Sequence, residues 1–329
     1  MAEGGTGLVF GKFDPPHRGH ALLVDVAIAR CERLIVLVYD YATQTVPAQT
    51  RARWMQEIQP DADVRIIPED PLEIDPNDAG AQAAHVRTFL NGEPISIVFT
   101  SEAYGEAFAR ALGATHVSID RDRWFVPCTG TMVRRSPLDY LEWMEPCVRA
   151  YYVKRITIVG SESTGKTSLC AFLAGRFETL WVAEYGREYT EMKAKTGPVR
   201  WITDEFYHIA REQQRREDEC ARRANRVLFC DTDALATRIW HERYMGSDVA
   251  SWPLPRSRAS LYLIPFPDVP FVADEIRDSE HLRYWMYERF IESFERLGYP
   301  YEILQGSYEE RREQAVAAVE RECALTTTP

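Results

Sequence analysis

The sequence has little that would staple, anchor or strongly charge a chain. Seven cysteines are scattered at positions 31, 128, 147, 170, 220, 230 and 323, and no two form a C-x-x-C pair. An odd, dispersed set predicts reduced thiols rather than a disulfide frame or a zinc site. No apolar run approaches the roughly 20 residues needed to span a bilayer. Met1–Gly7 also lacks the basic-then-apolar pattern of a signal peptide. The expectation is a cytoplasmic protein with no membrane partner. Basic charge is in short supply: 39 Lys and Arg stand against 50 Asp and Glu, a net charge of −11. That balance disfavours a broad nucleic-acid surface and leaves room for compact basic pockets only. No helix-turn-helix pattern, internal repeat or low-complexity segment is evident. What remains is 329 residues of ordinary composition, 45% hydrophobic, enough for two domains that each bury a core.

The most informative stretch is Arg155–Cys170, RITIVGSESTGKTSLC. Ile156, Ile158 and Val159 read as a buried strand, and Leu169, Cys170, Phe172 and Leu173 carry a helical rhythm. Between them lies Gly160-Ser161-Glu162-Ser163-Thr164-Gly165-Lys166-Thr167-Ser168, the spacing of a phosphate-binding P-loop in the strand–loop–helix context it requires. Gly160 and Gly165 permit backbone angles that turn successive N–H groups towards one anion. The helix start adds its positive dipole end. Lys166 can reach the β and γ phosphates, and the Thr167 hydroxyl can take a Mg²⁺ position. ATP and Mg²⁺ are therefore the expected ligands, and a domain boundary is expected near residue 150: residues 1–150, then residues 151–329.

A second nucleotide site is expected at the N-terminus. Gly7–Phe10 is a short apolar run, and Ala21–Ala29 has helical spacing. Between them lies Gly11-Lys12-Phe13-Asp14-Pro15-Pro16-His17-Arg18-Gly19-His20, at the first strand-to-helix turn, where open α/β sheets bind ligands. The helix dipole disfavours imidazolium at His17 and His20, yet neutral rings can still donate to phosphate oxygens. Two histidines three apart also fit a metal pair or a helix cap, although no third ligand is offered by spacing. Downstream, Leu34–Tyr39, Val64–Ile67, Ile95–Phe99 and Val117–Ile119 read as strands. Arg51–Ile58 and Ala79–Leu90 read as helices, so the pattern is βα and the sheet parallel and Rossmann-like.

HRGH preceded by GKFDPP resembles the H-x-G-H signature of the nucleotidyltransferase superfamily. The partner signature of that superfamily, I-S-x-T-x-x-R, is similar to Cys128-Thr129-Gly130-Thr131-Met132-Val133-Arg134, with Cys for Ile and Thr for Ser. The resemblance implies that Lys12, His17, His20, Thr129, Thr131 and Arg134 surround a triphosphate, with Gly11 and Phe13 in the binding loop. It also implies that the RARW segment, through Arg51 and Trp54, lies near a mononucleotide, where an indole can stack on pyridine, although a Trp at this spacing is more often a core residue.

In the second half, Leu180–Ala183 reads as a strand ending in Glu184-Tyr185-Gly186-Arg187-Glu188. Val227–Cys230 ends in Asp231-Thr232-Asp233, a Walker-B-like position whose carboxylates can bind Mg²⁺ or cap the following helix. Leu261–Ile264 is followed by DVPFVADEIR and an Arg/Tyr-rich segment running to Phe294. Glu184 resembles the base of P-loop nucleoside kinases, with Tyr185, Arg187 and Asp233 on the substrate side. The segment after Ile264 resembles a kinase lid, with Arg277, then Arg283, as the arginine on the transferring phosphoryl group.

An H-x-G-H domain followed by a P-loop domain carrying EYGRE, DTD and DVPFVADEIR resembles the NadR family over essentially the whole chain. This implies a bifunctional enzyme of NAD biosynthesis and salvage acting on ATP, nicotinamide riboside and nicotinamide mononucleotide (NMN). Its P-loop domain would be a ribosylnicotinamide kinase and its N-terminal domain an NMN adenylyltransferase. Some members carry an N-terminal DNA-binding repressor module; this chain starts at the adenylyltransferase strand, so repression is not expected. The rival readings are one active domain beside a nucleotide sensor, or a related kinase and nucleotidyltransferase with another substrate. A homo-oligomer is compatible with either.

Overall fold

The computed structural model describes residues 4–68, 78–195, 197–246, 256–268 and 282–324. The chain divides into two compact units, Met1–Arg149 and Ala150–Pro329.

The first unit holds a five-stranded parallel sheet. In chain order its strands are β1 (Thr6–Gly11), β2 (Arg33–Asp40), β3 (Asp63–Pro68), β4 (Ile97–Thr100) and β5 (Thr115–Ser118), and in space β3-β2-β1-β4-β5. Helices α1 (Arg18–Ile28), α2 (Ala48–Ile58), α3 (Ala79–Phe89), α4 (Gly105–Leu112) and α5 (Gly130–Arg135) lie in this unit, and α6 (Pro146–Tyr152) spans the division between the units. Both sheet faces are buried, as a parallel sheet demands. Leu8 and Phe10 of β1 join one apolar cluster with Ile35, Leu37 and Phe108, whereas Val9 joins the other with Val36, Val38 and Phe99. The strand order reverses between β1 and β4, and that switch point is where an open α/β sheet offers a crevice.

The second unit repeats the plan. Its parallel strands β6 (Lys154–Ile158), β7 (Trp181–Val182), β8 (Val227–Asp231), β9 (Leu261–Pro265) and β10 (Tyr301–Leu304) are ordered β10-β9-β6-β8-β7. The helices are α7 (Lys166–Arg176), α8 (Tyr185–Ala194), α9 (Thr203–Ala221), α10 (Ala234–Met245), α11 (Arg283–Leu297) and α12 (Tyr308–Ala324). Strand β6 sits at the centre, so the loop that follows it emerges between the ends of β8 and β9.

One expectation needs correcting here. The Arg/Tyr-rich segment read as a lid out to Phe294 is, from Arg283 on, helix α11, a core element. Met286, Phe290 and Phe294 recur every four residues and pack with Val159, Tyr262 and Ile264. Arg277 lies outside the described residues. Among the described residues no helix is long and apolar enough to cross a membrane.

Candidate active sites

A cavity of about 1040 Å³ opens at the C-terminal ends of β1 and β4. Its floor is the Gly11–His20 loop, which the sequence folds in an unusual way. Phe13 has φ 47°, a left-handed conformation disfavoured for an aromatic residue. The next residue holds it there. The buried Asp14 carboxylate accepts from the Thr45 N–H at 2.8 Å, the Thr45 hydroxyl at 2.8 Å, the Tyr41 hydroxyl at 2.6 Å and the Val46 N–H at 3.1 Å. Burial opposes ionisation of Asp14, but these donors and the Arg51 charge together outweigh it and keep the carboxyl below its usual range.

His17 is the N-cap of α1. Its Nδ1 accepts from Gly19 N at 3.1 Å, and its own N–H donates to His20 Nδ1 at 3.2 Å. A backbone N–H can only donate, so in both neutral rings the proton sits on Nε2, leaving that N–H as the donor each can offer an anion. Both rings line the cavity. Burial, then the Arg123 charge, lowers the His17 pKa to about 4. Burial, then the charges of His17 and Arg123, hold His20 well below its usual value. A Cβ on Gly19 would lie 2.9 Å from the His17 ring, so the glycine between the histidines is a steric requirement of this cap. Among the described residues no group of three or more His, Cys, Asp or Glu could hold a metal ion.

The second signature arrives from 120 residues away. Arg134 donates through Nη1 to the Asp14 carbonyl and through Nη2 to Thr131 Oγ1 at 3.1 Å. Thr129 caps α5, its hydroxyl accepting from Met132 N at 3.1 Å. Lys12, Thr129, Thr131 and Arg134 line the same cavity as the histidines. Arg51 and Trp54 do not line it, and Trp54 takes the core position that is the commoner one for such a residue. Both lie on the buried face of α2. Arg51 is fully buried and donates to the carbonyls of Val46 at 2.7 Å, Tyr39 at 2.9 Å and Lys12, so it shapes the loop from behind. Arg123, Tyr39, Thr100, Glu102 and Tyr104 line the cavity without having been read from sequence. The switch-point rule applied to the end of β4 locates three of them.

The second cavity, about 300 Å³, lies over the P-loop. Gly160 (φ 143°), Ser163 (φ 56°) and Gly165 (φ 84°) give the loop its left-handed turns. Lys166 Nζ donates to the Ser161 carbonyl at 2.8 Å, which folds the ammonium over the loop. Arg311 fixes the loop from outside, donating to the carbonyls of Gly306 at 2.9 Å, Phe266 at 2.9 Å and Thr164 at 3.4 Å. Thr167 Oγ1 donates to Asp231 Oδ2 at 2.5 Å, and the buried Asp231 Oδ1 has no hydrogen-bond partner among the described residues. A hydroxyl and an open carboxylate oxygen side by side fit a Mg²⁺ that completes its shell with water and phosphate.

Glu184 faces this cavity at the N-cap of α8. Burial, then the Asp231 charge, raises its pKa to about 7, against the opposing pull of Lys166 and Arg187. Trp201, Phe206, Trp240 and Tyr244 form an aromatic wall, with Trp201 and Tyr244 5.5 Å apart centroid to centroid. Two expected substrate contacts are corrected. Asp233 caps α10 through Ala236 N at 3.0 Å and accepts from the Tyr262 hydroxyl at 2.5 Å. Tyr185 is buried, its hydroxyl 3.1 Å from His208 Nε2. Neither lines the cavity, whereas Arg187 does.

Residues 8–136 match the cytidylyltransferase-like family, and residues 155–311 match the AAA domain family. The trifunctional NAD biosynthesis/regulator protein NadR of Salmonella typhimurium is 28% identical over 291 residues, covering 82% of this chain and 71% of its own. The protein of the same name from Escherichia coli matches at the same identity and coverage. In three dimensions the chain resembles a NadR protein solved in complex with NR (TM-score 0.75, 20% identity, 98% of this chain and 96% of that one). It also resembles a NadR protein solved with NAD and AMP-PNP (TM-score 0.74, 21% identity, 100% and 98%). Two domain families in this order, together with relatives that match over most of the chain, make it similar to the NadR proteins: a cytidylyltransferase-like domain followed by a P-loop domain.

Proposed function

We propose that the second unit phosphorylates the 5′-hydroxyl of nicotinamide riboside with ATP, and that the first unit joins the resulting NMN to the adenylyl group of a second ATP, giving NAD and pyrophosphate. The observation that carries the reading is the second cavity. A near-neutral carboxylate, Glu184, shares it with a P-loop lysine and with an aromatic wall suited to a pyridinium ring. The names of the curated relatives, NAD biosynthesis proteins, agree with it.

In phosphoryl transfer the chain supplies position and charge. Lys166 and the loop N–H groups hold the phosphates, and Glu184 accepts the proton as the hydroxyl attacks. Thr167 and Asp231 would hold Mg²⁺, which when bound neutralises charge on the phosphates. In adenylyl transfer no enzyme nucleophile is needed, because the NMN phosphate attacks the α-phosphorus of ATP. His17 and His20 offer neutral Nε2–H donors, and Lys12 and Arg134 offer cations, to the charge that develops there. Thr129 and Thr131 complete the rim. The test incubates the protein with ATP, Mg²⁺ and nicotinamide riboside and resolves NMN from NAD. NMN followed by NAD supports both steps; NMN alone removes the adenylyl step, and neither product overturns the reading.

A further inference from the structure

Helix α9 buries one stripe: Phe206, Ile209, Ala210, Gln213, Glu217 and Ala221. Two polar residues in an otherwise apolar stripe need partners. Gln213 finds them next to the second site's two carboxylates, at the start of α8 and just past the end of β8. Its Oε1 accepts from the Tyr185 N–H at 2.9 Å, directly after Glu184. Its Nε2 donates to the Thr232 carbonyl at 3.5 Å, directly after Asp231. A backbone N–H can only donate and a carbonyl can only accept, so the amide orientation is fixed. Glu217, one turn further along α9, faces Arg155, Oε2 to Nη1 at 3.7 Å.

The Thr232 end is strained. Thr232 has φ 67°, costly for a β-branched residue, and it is pinned by its own N–H to the Ile158 carbonyl at 3.0 Å as well as by Gln213. Without a bond at its carbonyl this peptide has reason to relax, and Asp231 is covalently attached to it.

Building on the kinase reading, we infer that Gln213 is a positioning residue that ties the start of α8, at Glu184, to the end of β8, at Asp231, and so sets the spacing of base and metal-side carboxylate. A side chain with both a donor and an acceptor is required. An apolar isostere bridges neither group, and an ionised carboxylate cannot donate to Thr232.

The test compares Gln213→Met and Gln213→Asn with the wild type in riboside phosphorylation, and follows thermal unfolding of each. Misplacement of reacting groups by about 1 Å costs about 10²-fold in rate. Gln213→Met should therefore lower kcat about 10²-fold while KM for riboside and ATP changes less than about threefold, a split that general loosening of the fold would not give. Adding Thr232→Gly to Gln213→Met should recover part of kcat, because glycine holds φ 67° without strain. If Gln213→Met does not fold, Gln213→Asn, which keeps both groups on a shorter stem, carries the test with the same expected split. Unchanged kcat, or a raised riboside KM at unchanged kcat, overturns the clamp. The wild type in the same assay separates two failures. An inactive wild type overturns the kinase reading and this assignment with it; an active wild type beside an unaffected variant overturns the clamp alone.

Discussion

The pH dependence of riboside phosphorylation tests the role of Glu184 most directly. Burial, then the Asp231 charge, raises its pKa to about 7, with Glu162 pushing the same way and Lys166 and Arg187 opposing. A base must be ionised to accept a proton, so activity should rise with pH through this value. At pH 8 about nine-tenths of the free enzyme carries the carboxylate, and at pH 6 about one-tenth, so kcat/KM should be about tenfold lower at pH 6. Glu184→Gln keeps the shape but removes the base. It should lose about 10²–10⁴-fold in kcat and flatten the acid limb. The assay is initial rate of NMN formation from about pH 5 to about pH 9 for both proteins, with adenylyl transfer from supplied NMN measured on the same preparations. The second reaction is an internal control. Burial lowers the His17 pKa to about 4 and holds His20 well below its usual value, so neither should contribute a limb near pH 7. A Glu184→Gln enzyme with normal kcat and weakened riboside binding would make Glu184 a ribose ligand. A limb that persists unchanged in the variant would belong to another group.

Three further outcomes are expected. Lys166→Ala should abolish riboside phosphorylation and leave NAD formation from supplied NMN near its original rate, and His20→Ala should do the reverse; the paired half-reaction assays check both. Gly19→Ala puts a Cβ 2.9 Å from the His17 ring and should displace it, lowering adenylyl transfer about 10²-fold while phosphorylation is untouched in the same assays. Asp14 has a folded pKa below its usual value, so its stabilisation is present above the unfolded value of about 3.9 and is lost as pH falls through the folded one. The Tm gap between wild type and Asp14→Asn should therefore be widest near neutral pH and close in acid, which thermal unfolding across pH measures.

Strands were legible because burial on both faces of a parallel sheet leaves an unbroken apolar run. LIVLVY lies within β2, and Val227–Cys230 lies within β8. Helices were legible when long and misread when their stripe was sparse or their composition misleading. Helix α4 went unread because it is short, eight residues, although its buried Gly105, Phe108 and Ala109 share one face. Helix α11 hid its Met286–Phe290–Phe294 stripe among arginines and tyrosines that suggested a mobile lid. At Arg51 and Trp54 the residue types pointed to a ligand, but helical phase decided the outcome. They lie on the buried face of α2 with Ala48 and Met55, and a face of that kind turns even a guanidinium inward if carbonyls await it.

The chemistry-bearing loops were readable because their signal is local. In the second site a glycine at φ > 0, a lysine and a hydroxyl at the start of a helix make an anion site from consecutive residues; in the first, Lys12, a left-handed Phe13 and the two histidines at a helix start do so, and both loops follow the central strand of their sheet. The residues that hold those loops in place work at long range, and no spacing rule reaches them. Asp14 captures Thr45 from 31 positions away, Arg134 reaches back 120 positions to the Asp14 carbonyl, and Arg311 reaches back 147 to the Thr164 carbonyl. Gln213 joins Tyr185 and Thr232, 28 and 19 positions off on either side. Asp14, Arg311 and Gln213 are buried polar groups, Arg134 a more exposed one, and all are bonded to backbone atoms whose neighbourhood only the folded sheet defines. Such residues are better found by asking, of each strained or catalytic peptide, which side chain satisfies its N–H or carbonyl. At Phe13 the strained backbone is followed by Asp14, whose four hydrogen bonds hold the loop, and at Thr232 the same question leads to Gln213.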